Sequence, residues 1–360
     1  MRHAFITSVP FTLLEAIHFT ITYDLDADVY ITKSFSDAEN VADRLRSTNV
    51  FANVYLVENV LLDYPITVNK CLSVVKNGWK LVRDLKSRPY DYGYYNNSGW
   101  LINSIFYTGF LKANKNCKQR FIEHGYNTLL NPYGNKSMLL RLMINLFGFK
   151  CMDGTMLEAL YLFEPELLRV EQDGEKRQMP KMDRNNPRFK EAINVTFGFD
   201  PNNNEFADKD IIIMEEGPQK VEFDKDEYWG KIIKILDTSQ AILKPHPRLK
   251  ESTLSKYNIA VCKNNSVPWE VIAINTDMEN KTQLCMFSGS CLHPKYCLGI
   301  ESRVIMLYKL LPVDYSFLGK DLLRFSDDIK NMYEDPDKFF VPETVEELFE
   351  YLKKYGLANE

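Results

Sequence analysis

The sequence predicts an α/β protein with two domains, each built on a mostly parallel sheet. Short apolar runs of strand length alternate with segments of helical periodicity, which is the pattern of βαβ units. A chain of 360 residues is long enough for two separate cores. The alternation stops in a polar stretch at 171–210 and then restarts, so this stretch predicts an interdomain connection holding one short helix. We therefore expect domains over 1–170 and 211–335, and a C-terminal helix within 336–360.

The first domain opens with a strand, a turn and a helix. Residues 3–7 form an apolar run, Ser8 is a residue type that caps helices, and Pro10 suits a first helical turn. Apolar residues follow Pro10 at helical spacing. The next predicted elements are strands at 28–33 and 51–59 and a polar-faced helix at 34–48.

Two segments of the first domain leave alternatives open. Residues 100–113 form either a helix or another kind of buried run, and a strand ends in the loop at 119–125. Residues 138–150, MLLRLMINLFGFK, are unusually apolar. We expect a buried core helix there, and the alternative is a helix facing a partner subunit or a membrane.

The second domain repeats the same rhythm. Its C-terminal segment is an amphipathic helix with Pro342 early and Gly356 at its end. The other predicted elements are strand runs at 210–217, 241–248, 257–263 and 282–290 and a helix at 226–236.

Charge and composition exclude some classes of protein. The net charge is −5 and spread along the chain, which argues against a nucleic-acid binder with its basic surface. Aromatic residues make up 13%, which suits a carbohydrate or nucleotide enzyme and equally a well-filled core. The N-terminus has no signal-peptide pattern, and no run reaches the length of a membrane span. We expect a cytoplasmic protein; peripheral association with the inner face of a membrane and a homodimer remain open.

The seven cysteines favour a reducing compartment, because their number is odd and no CxxC pair occurs. A rival interpretation is a zinc site formed by Cys285, Cys291, His293 and Cys297. Their spacing matches no common zinc pattern, and Cys285 lies in an apolar strand run, which is typical of a buried free thiol.

The segment LKPHPR places His246 directly after an apolar run. Pro245 and Pro247 restrict the backbone on both sides of this histidine, so they fix the direction of its imidazole. Lys244 and Arg248 add positive charge that favours an anion. A histidine in such a loop can donate a proton or a hydrogen bond to an anionic leaving group, and phosphate is the obvious candidate. The alternative is a structural histidine.

Ser288, Gly289 and Ser290 follow another strand run. Two hydroxyls and a glycine at the end of a strand can bind a phosphate through side-chain and backbone donors. Alone, this tripeptide is commonly just a turn. Because ligands of open parallel sheets bind beyond the carboxyl ends of the strands, its position and that of His246 favour a shared site.

Glu270 falls in the first turn of a helix that opens at Pro268. A carboxylate there is favourable to the helix dipole, which is sufficient reason for its presence. The functional alternative is that it accepts hydrogen bonds from a ribose diol.

Three further carboxylates are candidates for a general base acting on an incoming hydroxyl. Glu123 follows a strand end of the first domain and precedes Gly125. Glu215 and Glu216 follow a strand run of the second domain.

Together these motifs resemble the bacterial sialyltransferases of glycosyltransferase family 52, which act on lipooligosaccharide and capsule. The likeness runs from the N-terminus to about residue 310 and is carried by short motifs. KPHPR is fairly specific, and the others gain weight from their order behind it. The motifs are AFITSVPFTLLEAI at 4–17, the acid-x-Gly loop at 123–125, KPHPR at 244–248, VPWEV at 267–271 and FSGS at 287–290.

The resemblance implies a GT-B-type fold, in which two Rossmann-like domains face a central cleft, with CMP-sialic acid as the donor. It implies that His246 and Pro247 contact the CMP phosphate. It also implies phosphate binding by Ser288 and Ser290 and a ribose or cytosine contact by Glu270.

The acidic motif of the family, two acids and then a glycine, falls on Glu123, His124 and Gly125, so a histidine replaces the second acid. Some members instead use an acid shortly before the His-Pro motif, which corresponds to Glu215 or Glu216. We expect Glu123 to be the base and keep these two as alternatives.

The implied reaction is inverting transfer of sialic acid to a hydroxyl of a bacterial surface glycan, such as a galactoside. A phosphate monoester leaving group needs less charge neutralisation than a diphosphate, so we expect no metal and no other cofactor. Two rival functions remain: a transferase that uses another nucleotide sugar, and a non-catalytic component of a glycan-assembly complex. Acceptor and linkage are not indicated, although the tyrosine-rich segment at 88–100 is a candidate acceptor surface.

Overall fold

The computed structural model divides the chain into two compact units. Unit 1 consists of Met1–Pro180 and Asn186–Gly198, and unit 2 consists of Lys181–Asn185 and Phe199–Glu360. The structure describes residues 1–60, 66–95, 100–125, 128–129, 138–171, 173–217, 223–249 and 251–359.

Unit 1 contains a seven-stranded sheet in which every paired strand is parallel. Its order is β3-β2-β1-β4-β5-β6-β7. The strands are β1 His3–Thr7, β2 Ala27–Thr32, β3 Asn53–Val57, β4 Tyr92–Tyr95, β5 Lys118–Ile122, β6 Leu157–Leu162 and β7 Glu175–Gln178.

The described helices of unit 1 connect these strands or follow them. They are α1 Pro10–Thr22, α2 Ala38–Ser47, α3 Val68–Lys86, α4 Trp100–Ala113, α5 Met138–Leu146 and α6 Pro187–Phe197. The run at 100–113 is thus a helix, one of the two predicted alternatives. Helix α1 begins at Pro10 as expected, but its cap residue is Val9 and not Ser8. Thr12 Oγ1 accepts the backbone N–H groups of Ser8 and Val9, so the hydrogen bonds at this end come from within the helix and not from the predicted cap Ser8.

Unit 2 contains a six-stranded parallel sheet with the order β10-β9-β8-β11-β12-β13. Its strands are β8 Ile211–Met214, β9 Ala241–Lys244, β10 Ala260–Val261, β11 Thr282–Cys285, β12 Arg303–Met306 and β13 Phe339–Phe340. Its helices are α7 Lys225–Ile233, α8 Trp269–Ile274, α9 His293–Leu298, α10 Lys320–Lys330 and α11 Val345–Lys354.

The central strands of both sheets are buried on both faces, which explains their composition. Strand β2 is buried at all six positions, and β8, with the sequence IIIM, at all four. Parallel strands covered by helices on both faces read as continuous apolar runs rather than as an alternation. This is why short apolar runs in the sequence identified strands.

Both sheets have the strand order of doubly wound folds, and in each the order reverses once. The reversal lies between β1 and β4 in unit 1 and between β8 and β11 in unit 2. In open α/β sheets, ligands bind outside the carboxyl ends of the strands at this switch point. The residues that follow β8 and β11 are therefore those to inspect in unit 2.

The structure divides the chain differently from the connection predicted at 171–210. This stretch contains β7, which pairs with β6 in unit 1, and α6, which packs against α1 and α2 of the same unit. Strand β7 was missed because its sequence, EKRQ, is polar and exposed, as an edge strand can be. The predicted C-terminal helix within 336–360 also holds the short strand β13 before α11.

Helix α5 lies in the segment for which we expected a buried core helix, and that expectation is wrong. Of its residues only Ile144 is buried, whereas four large apolar side chains point to solvent. The composition misled because apolar side chains occur on two opposite faces of this helix, and only one face packs on the unit.

No helix in the described ranges is long and apolar enough to cross a membrane.

Candidate functional site

Three neighbouring strands of unit 2 end at the same level and place their following loops side by side. Met214, the last residue of β8, pairs with Lys244 of β9 on one side and with Cys285 of β11 on the other. The backbone N–H of Glu215 donates to the Lys244 carbonyl oxygen over 3.1 Å, which keeps the two chains together past the strand ends. The loops with Glu215, His246 and Ser288 therefore leave the sheet at its switch point.

His246 is half-buried in the loop after β9, and one of its ring nitrogens is occupied. Its Nδ1 accepts the backbone N–H of Arg248 over 3.1 Å. In the neutral imidazole the proton is consequently on Nε2, which is then a hydrogen-bond donor. Burial, together with the charges of Arg248 and Lys244, lowers the pKa of His246, so the neutral ring predominates at neutral pH.

Gly217 lies against the His246 ring. A Cβ atom at position 217 would be 3.1 Å from His246 Cε1 and 3.2 Å from both ring nitrogens. That spacing is tighter than ordinary van der Waals contact, so a larger residue here would push the imidazole away. Gly217 was not among the residues predicted from the sequence, although its position directly after two acids at a strand end was a usable signal.

Glu216 connects the loop after β8 to the loop after β11. Its Oε1 accepts the backbone N–H groups of Met286, at 2.5 Å, and Phe287, at 3.1 Å. The residue retains some exposed surface, but its carboxyl group is withdrawn from water, and this burial raises the pKa of Glu216 to about 7. Glu216 thereby holds the backbone that leads into Ser288.

Glu215, the neighbouring acid, is buried. Its Oε1 accepts the N–H of Thr253 at 2.8 Å and the hydroxyl of Thr253 at 2.7 Å. Its Oε2 is buried without a hydrogen-bond partner within the described part of the chain. Both acids line a small pocket, whose other lining residues are Lys225, Trp229, Leu249, Thr253 and Met286.

Lys244 does not project from the loop as its predicted role in anion binding would require. It is buried, and its Nζ donates to the carbonyl oxygen of Asn265 at 3.0 Å and to Asn265 Oδ1 at 2.7 Å. Burial lowers the pKa of Lys244 to about 8. As the last residue of β9, Lys244 takes the side-chain direction that the pleat dictates, which sequence alone could not assign. Pro247 and Arg248, by contrast, are exposed.

Ser288, Gly289 and Ser290 are half-buried and lead into a short 3₁₀ turn at Gly289–Leu292, which α9 continues. Ser288 occupies the cap position of that turn, but its side chain makes no capping hydrogen bond. A Cβ atom at Gly289 would meet nothing within 4 Å, so the space beside this glycine is open. The hydroxyls thus stand beside the backbone that Glu216 holds.

Glu270 is buried at the start of α8 and is paired with His293, the first residue of α9. Glu270 Oε1 lies 2.5 Å from His293 Nδ1. This contact occupies one oxygen of the carboxylate that the resemblance assigned to a ribose or cytosine contact. His293 was predicted only as a possible metal ligand, so its pairing with Glu270 was missed.

Glu123, in unit 1, is fully buried directly after β5. Its backbone N–H donates to the Tyr161 carbonyl oxygen, and its Oε2 accepts the backbone N–H of Phe163 at 2.7 Å. The carboxylate therefore connects the ends of β5 and β6. Gly125, two residues on, has φ of +63°, a backbone conformation that favours glycine.

The cysteines of the rival zinc interpretation are buried free thiols. Burial raises the pKa of Cys291 well above its ordinary value, which opposes the thiolate that zinc needs. In the described ranges, no group of three or more His, Cys, Asp or Glu residues is arranged to hold a metal ion.

The tyrosine-rich segment lies only partly within the described residues. Tyr90, Tyr94 and Tyr95 are fully buried in the core of unit 1 and offer no surface for a sugar. Residues 96–99 lie outside the described residues.

Searches against family models and against curated proteins found no match to this sequence. Among solved structures, the chain is similar to LpCGTa in complex with UDP, with a TM-score of 0.50, 10% identity, and coverage of 98% of this chain and 90% of that one. It also resembles the glycosyltransferase of kitacinnamycin (TM-score 0.48, 10% identity, 99% and 95% covered). A third is CalG4, the calicheamicin glycosyltransferase (TM-score 0.47, 11% identity, 99% and 90% covered).

At this level of identity the likeness concerns the fold and not the reaction. The two parallel, doubly wound sheets and the match along nearly the whole chain agree with each other. The predicted α/β fold of the GT-B type is confirmed, whereas membership in sialyltransferase family 52 remains a prediction.

Proposed function

We propose that this protein is a glycosyltransferase that uses a nucleotide-activated sugar, and that its donor is CMP-sialic acid. The observation that carries the proposal is the convergence of three strand-end loops at the switch point of unit 2. They contribute Glu216, His246 and the segment Ser288–Ser290. The motif resemblance supplies the choice of CMP-sialic acid and of a bacterial surface glycan as acceptor.

His246 and the two serines are assigned to the phosphate of the donor. With Nδ1 occupied by the N–H of Arg248, the ring offers an Nε2–H donor, and the lowered pKa keeps it in that neutral form. Such a donor stabilises the negative charge that develops on the phosphate as the sugar departs. The hydroxyls of Ser288 and Ser290 and the open space at Gly289 suit the remaining phosphate oxygens.

Glu216 is our choice for the general base, in place of the Glu123 favoured from the sequence. A base works best when its pKa lies near the working pH, and the pKa of Glu216 is about 7. Glu123 is fully buried and belongs to unit 1, whereas the loops with His246 and Ser288 belong to unit 2. Glu215 is buried and hydrogen-bonded to Thr253, whereas Glu216 holds the backbone that leads into Ser288.

The transfer step is an inverting displacement. The oxygen of the acceptor hydroxyl forms a bond to the anomeric carbon of sialic acid, and its proton passes to the Glu216 carboxylate. The bond between that carbon and the phosphate oxygen breaks, and its electron pair stays on CMP. Hydrogen bonds from His246 and the serines are stronger to this charged oxygen than to the intact donor, so they lower the barrier.

The experiment that tests the proposal combines nucleotide binding with transfer. Thermal unfolding is followed with CMP, UDP and GDP, and radiolabelled CMP-sialic acid is screened against galactoside and sialoside acceptors. We expect stabilisation by CMP and labelled product with one acceptor class. Ser288→Ala should weaken the stabilisation by CMP, and Ser87→Ala, in an exposed position of unit 1, is its control. Stabilisation by UDP or GDP but not by CMP would contradict the donor assignment. If none of the three nucleotides stabilises the protein, the proposal as a whole is contradicted.

A second candidate is transfer from a UDP-sugar on the same site. It is favoured by one observation: LpCGTa, with its similar fold, was solved in complex with UDP. The nucleotide comparison distinguishes the two candidates directly.

A further inference from the structure

Helix α5 of unit 1 carries an apolar stripe on the side that faces solvent. Four side chains form it, and their exposed fractions are 89% for Met138, 66% for Leu139, 55% for Leu142 and 74% for Leu146. Their spacing of three or four residues places them on one face of the helix. Ile144, on the opposite face, is fully buried. The helix thus packs on the unit with one face and leaves a second apolar face unused, which is an unfavourable arrangement in water.

The end of α5 is attached to the middle of α3. Trp79 Nε1 donates to the Phe147 carbonyl oxygen at 3.0 Å, and the Trp79 ring stacks on Phe149 with 5.4 Å between centroids. Gly78, beside Trp79, lets Phe149 approach the helix closely. The surface of α3 around Trp79 is therefore continuous with the base of the apolar stripe.

This part of α3 is basic. Lys76 and Arg83 lie three residues before and four residues after Trp79, on the same side of the helix, and Lys80 lies next to it. All three are exposed, and within the described part of the chain none forms an ion pair. Leu72, one turn before Lys76, is 62% exposed and continues this face with another apolar side chain.

The surrounding segments carry a net positive charge. Residues 66–86 contain four lysines and one arginine against a single acid, Asp84, and residues 138–153 contain Arg141 and Lys150 against Asp153. Arg141 makes one long contact, with 3.8 Å between its Nη1 and Asp153 Oδ2. The protein carries a net charge of −5, so this positive surface runs against the charge of the whole.

We propose that the apolar stripe of α5 and the basic surface of α3 dock this protein on an anionic lipid bilayer. Apolar side chains on a helix lying in the interface enter the acyl boundary while cations next to it bind acidic headgroups. A second copy of the chain suits this surface less well. A two-fold contact would set each copy's cations near those of the other, and like charges there repel. The inference is independent of the donor assigned above.

Flotation of the full chain with vesicles tests the proposal. We expect it to float with vesicles of phosphatidylcholine and phosphatidylglycerol, to float less at high salt, and to remain behind with phosphatidylcholine alone. The triple variant Leu139→Gln, Leu142→Gln, Leu146→Gln should lower the vesicle partition coefficient by about a hundredfold. The matched control replaces exposed apolar residues elsewhere: Val195→Gln, Val261→Gln and Phe317→Gln.

A charge variant keeps the test decisive if the leucine variant misfolds. Lys76→Gln, Lys80→Gln and Arg83→Gln should lower partitioning about fivefold per charge. Its control is Lys320→Gln, Lys330→Gln and Lys353→Gln, three exposed lysines of unit 2.

Three results would overturn the proposal. The first is a wild-type protein that stays unbound to anionic vesicles at low salt. The second is a charge variant that floats as well as the wild-type protein. The third is a wild-type dimer in solution that the leucine variant loses, since a second copy would then cover the stripe.

Discussion

The two units of this protein share one strand order and use its loops differently. In unit 2 the acid after β8 reaches across the switch point to the loop after β11, and His246 stands beside it in the neighbouring loop. In unit 1 the candidate acid, Glu123, lies after β5, one strand from the reversal between β1 and β4, and is fully buried. The strand-end loops of unit 2 therefore place polar side chains side by side. In unit 1 the carboxylate of Glu123 is hydrogen-bonded to the backbone of its own unit.

The difference shows that a carboxylate at a strand end is not a catalytic candidate by its position alone. Glu123 and Glu216 both accept backbone N–H groups at the ends of neighbouring strands. What separates them is that Glu216, whose carboxyl group is withdrawn from water, still keeps some exposed surface as a residue and lies next to residues that suit a phosphate.

The largest expected effect on activity comes from replacing Glu216, and Glu123 is the residue for comparison. Glu216→Gln should lower kcat/KM by about a hundredfold to ten-thousandfold, because a general base contributes on that scale. Glu123→Gln should act through folding, with a lower melting temperature and a much smaller change in rate. Steady-state rates over a range of pH check this: the wild-type rate should fall as pH drops through about 7, where Glu216 becomes protonated. A larger loss of rate in Glu123→Gln than in Glu216→Gln would indicate that Glu123 is the general base.

The second prediction concerns His246. His246→Ala should lower turnover by about a hundredfold, the scale of one lost donor to the developing charge. His246→Gln, which can still present an N–H group, should recover part of that loss. Near-normal turnover of His246→Ala would show that the imidazole has no role in catalysis. Unit 2 would then not differ from unit 1 in presenting a catalytic histidine.

The third prediction uses stability. The pKa of Glu216 is about 7 in the folded chain and about 4.5 when the carboxyl is unperturbed, so the folded state binds more protons in between. Stability should therefore fall as pH rises from about 4.5 to about 7, by roughly 3 kcal/mol at most. Glu216→Gln removes this dependence. The free energy of unfolding of the variant, measured by chemical denaturation, should therefore rise relative to that of the wild type as pH increases across this range. A constant difference at all pH values would show that the carboxyl is not held in its neutral form.

The smallest effect is expected from the contact of Gly217 with the His246 ring. Gly217→Ala should displace the imidazole and lower turnover by about tenfold, because small misplacements of a catalytic group are costly. Gly230→Ala, within α7, is the matched control, since its Cβ would meet only Tyr257 Oη at 3.3 Å. Equal activities of the two variants would mean that the ring is not held by Gly217.

Much of the fold was predictable because its signals are local. Strands buried on both faces appear as apolar runs, and Pro10 and Gly356 mark helix ends that the structure retains. The polar strand β7 and the two-faced helix α5 were misjudged because composition does not tell which face meets the core.

The site was predictable only as a set of loops. Strand-end position predicted that the segments of Glu216, His246 and Ser288 follow neighbouring strands, and the strand pairing has this arrangement. The direction of a side chain depends on the pleat and on partners distant in sequence. Strand-end position therefore could not predict that Lys244 is buried against Asn265 or that Glu270 pairs with His293.

The most direct test of the central claim is a crystal structure of the protein with CMP. The account predicts phosphate oxygens about 2.7–3.1 Å from His246 Nε2 and from the hydroxyls of Ser288 and Ser290. A nucleotide whose phosphate lies elsewhere, for instance beyond the ends of β1 and β4 in unit 1, would contradict it.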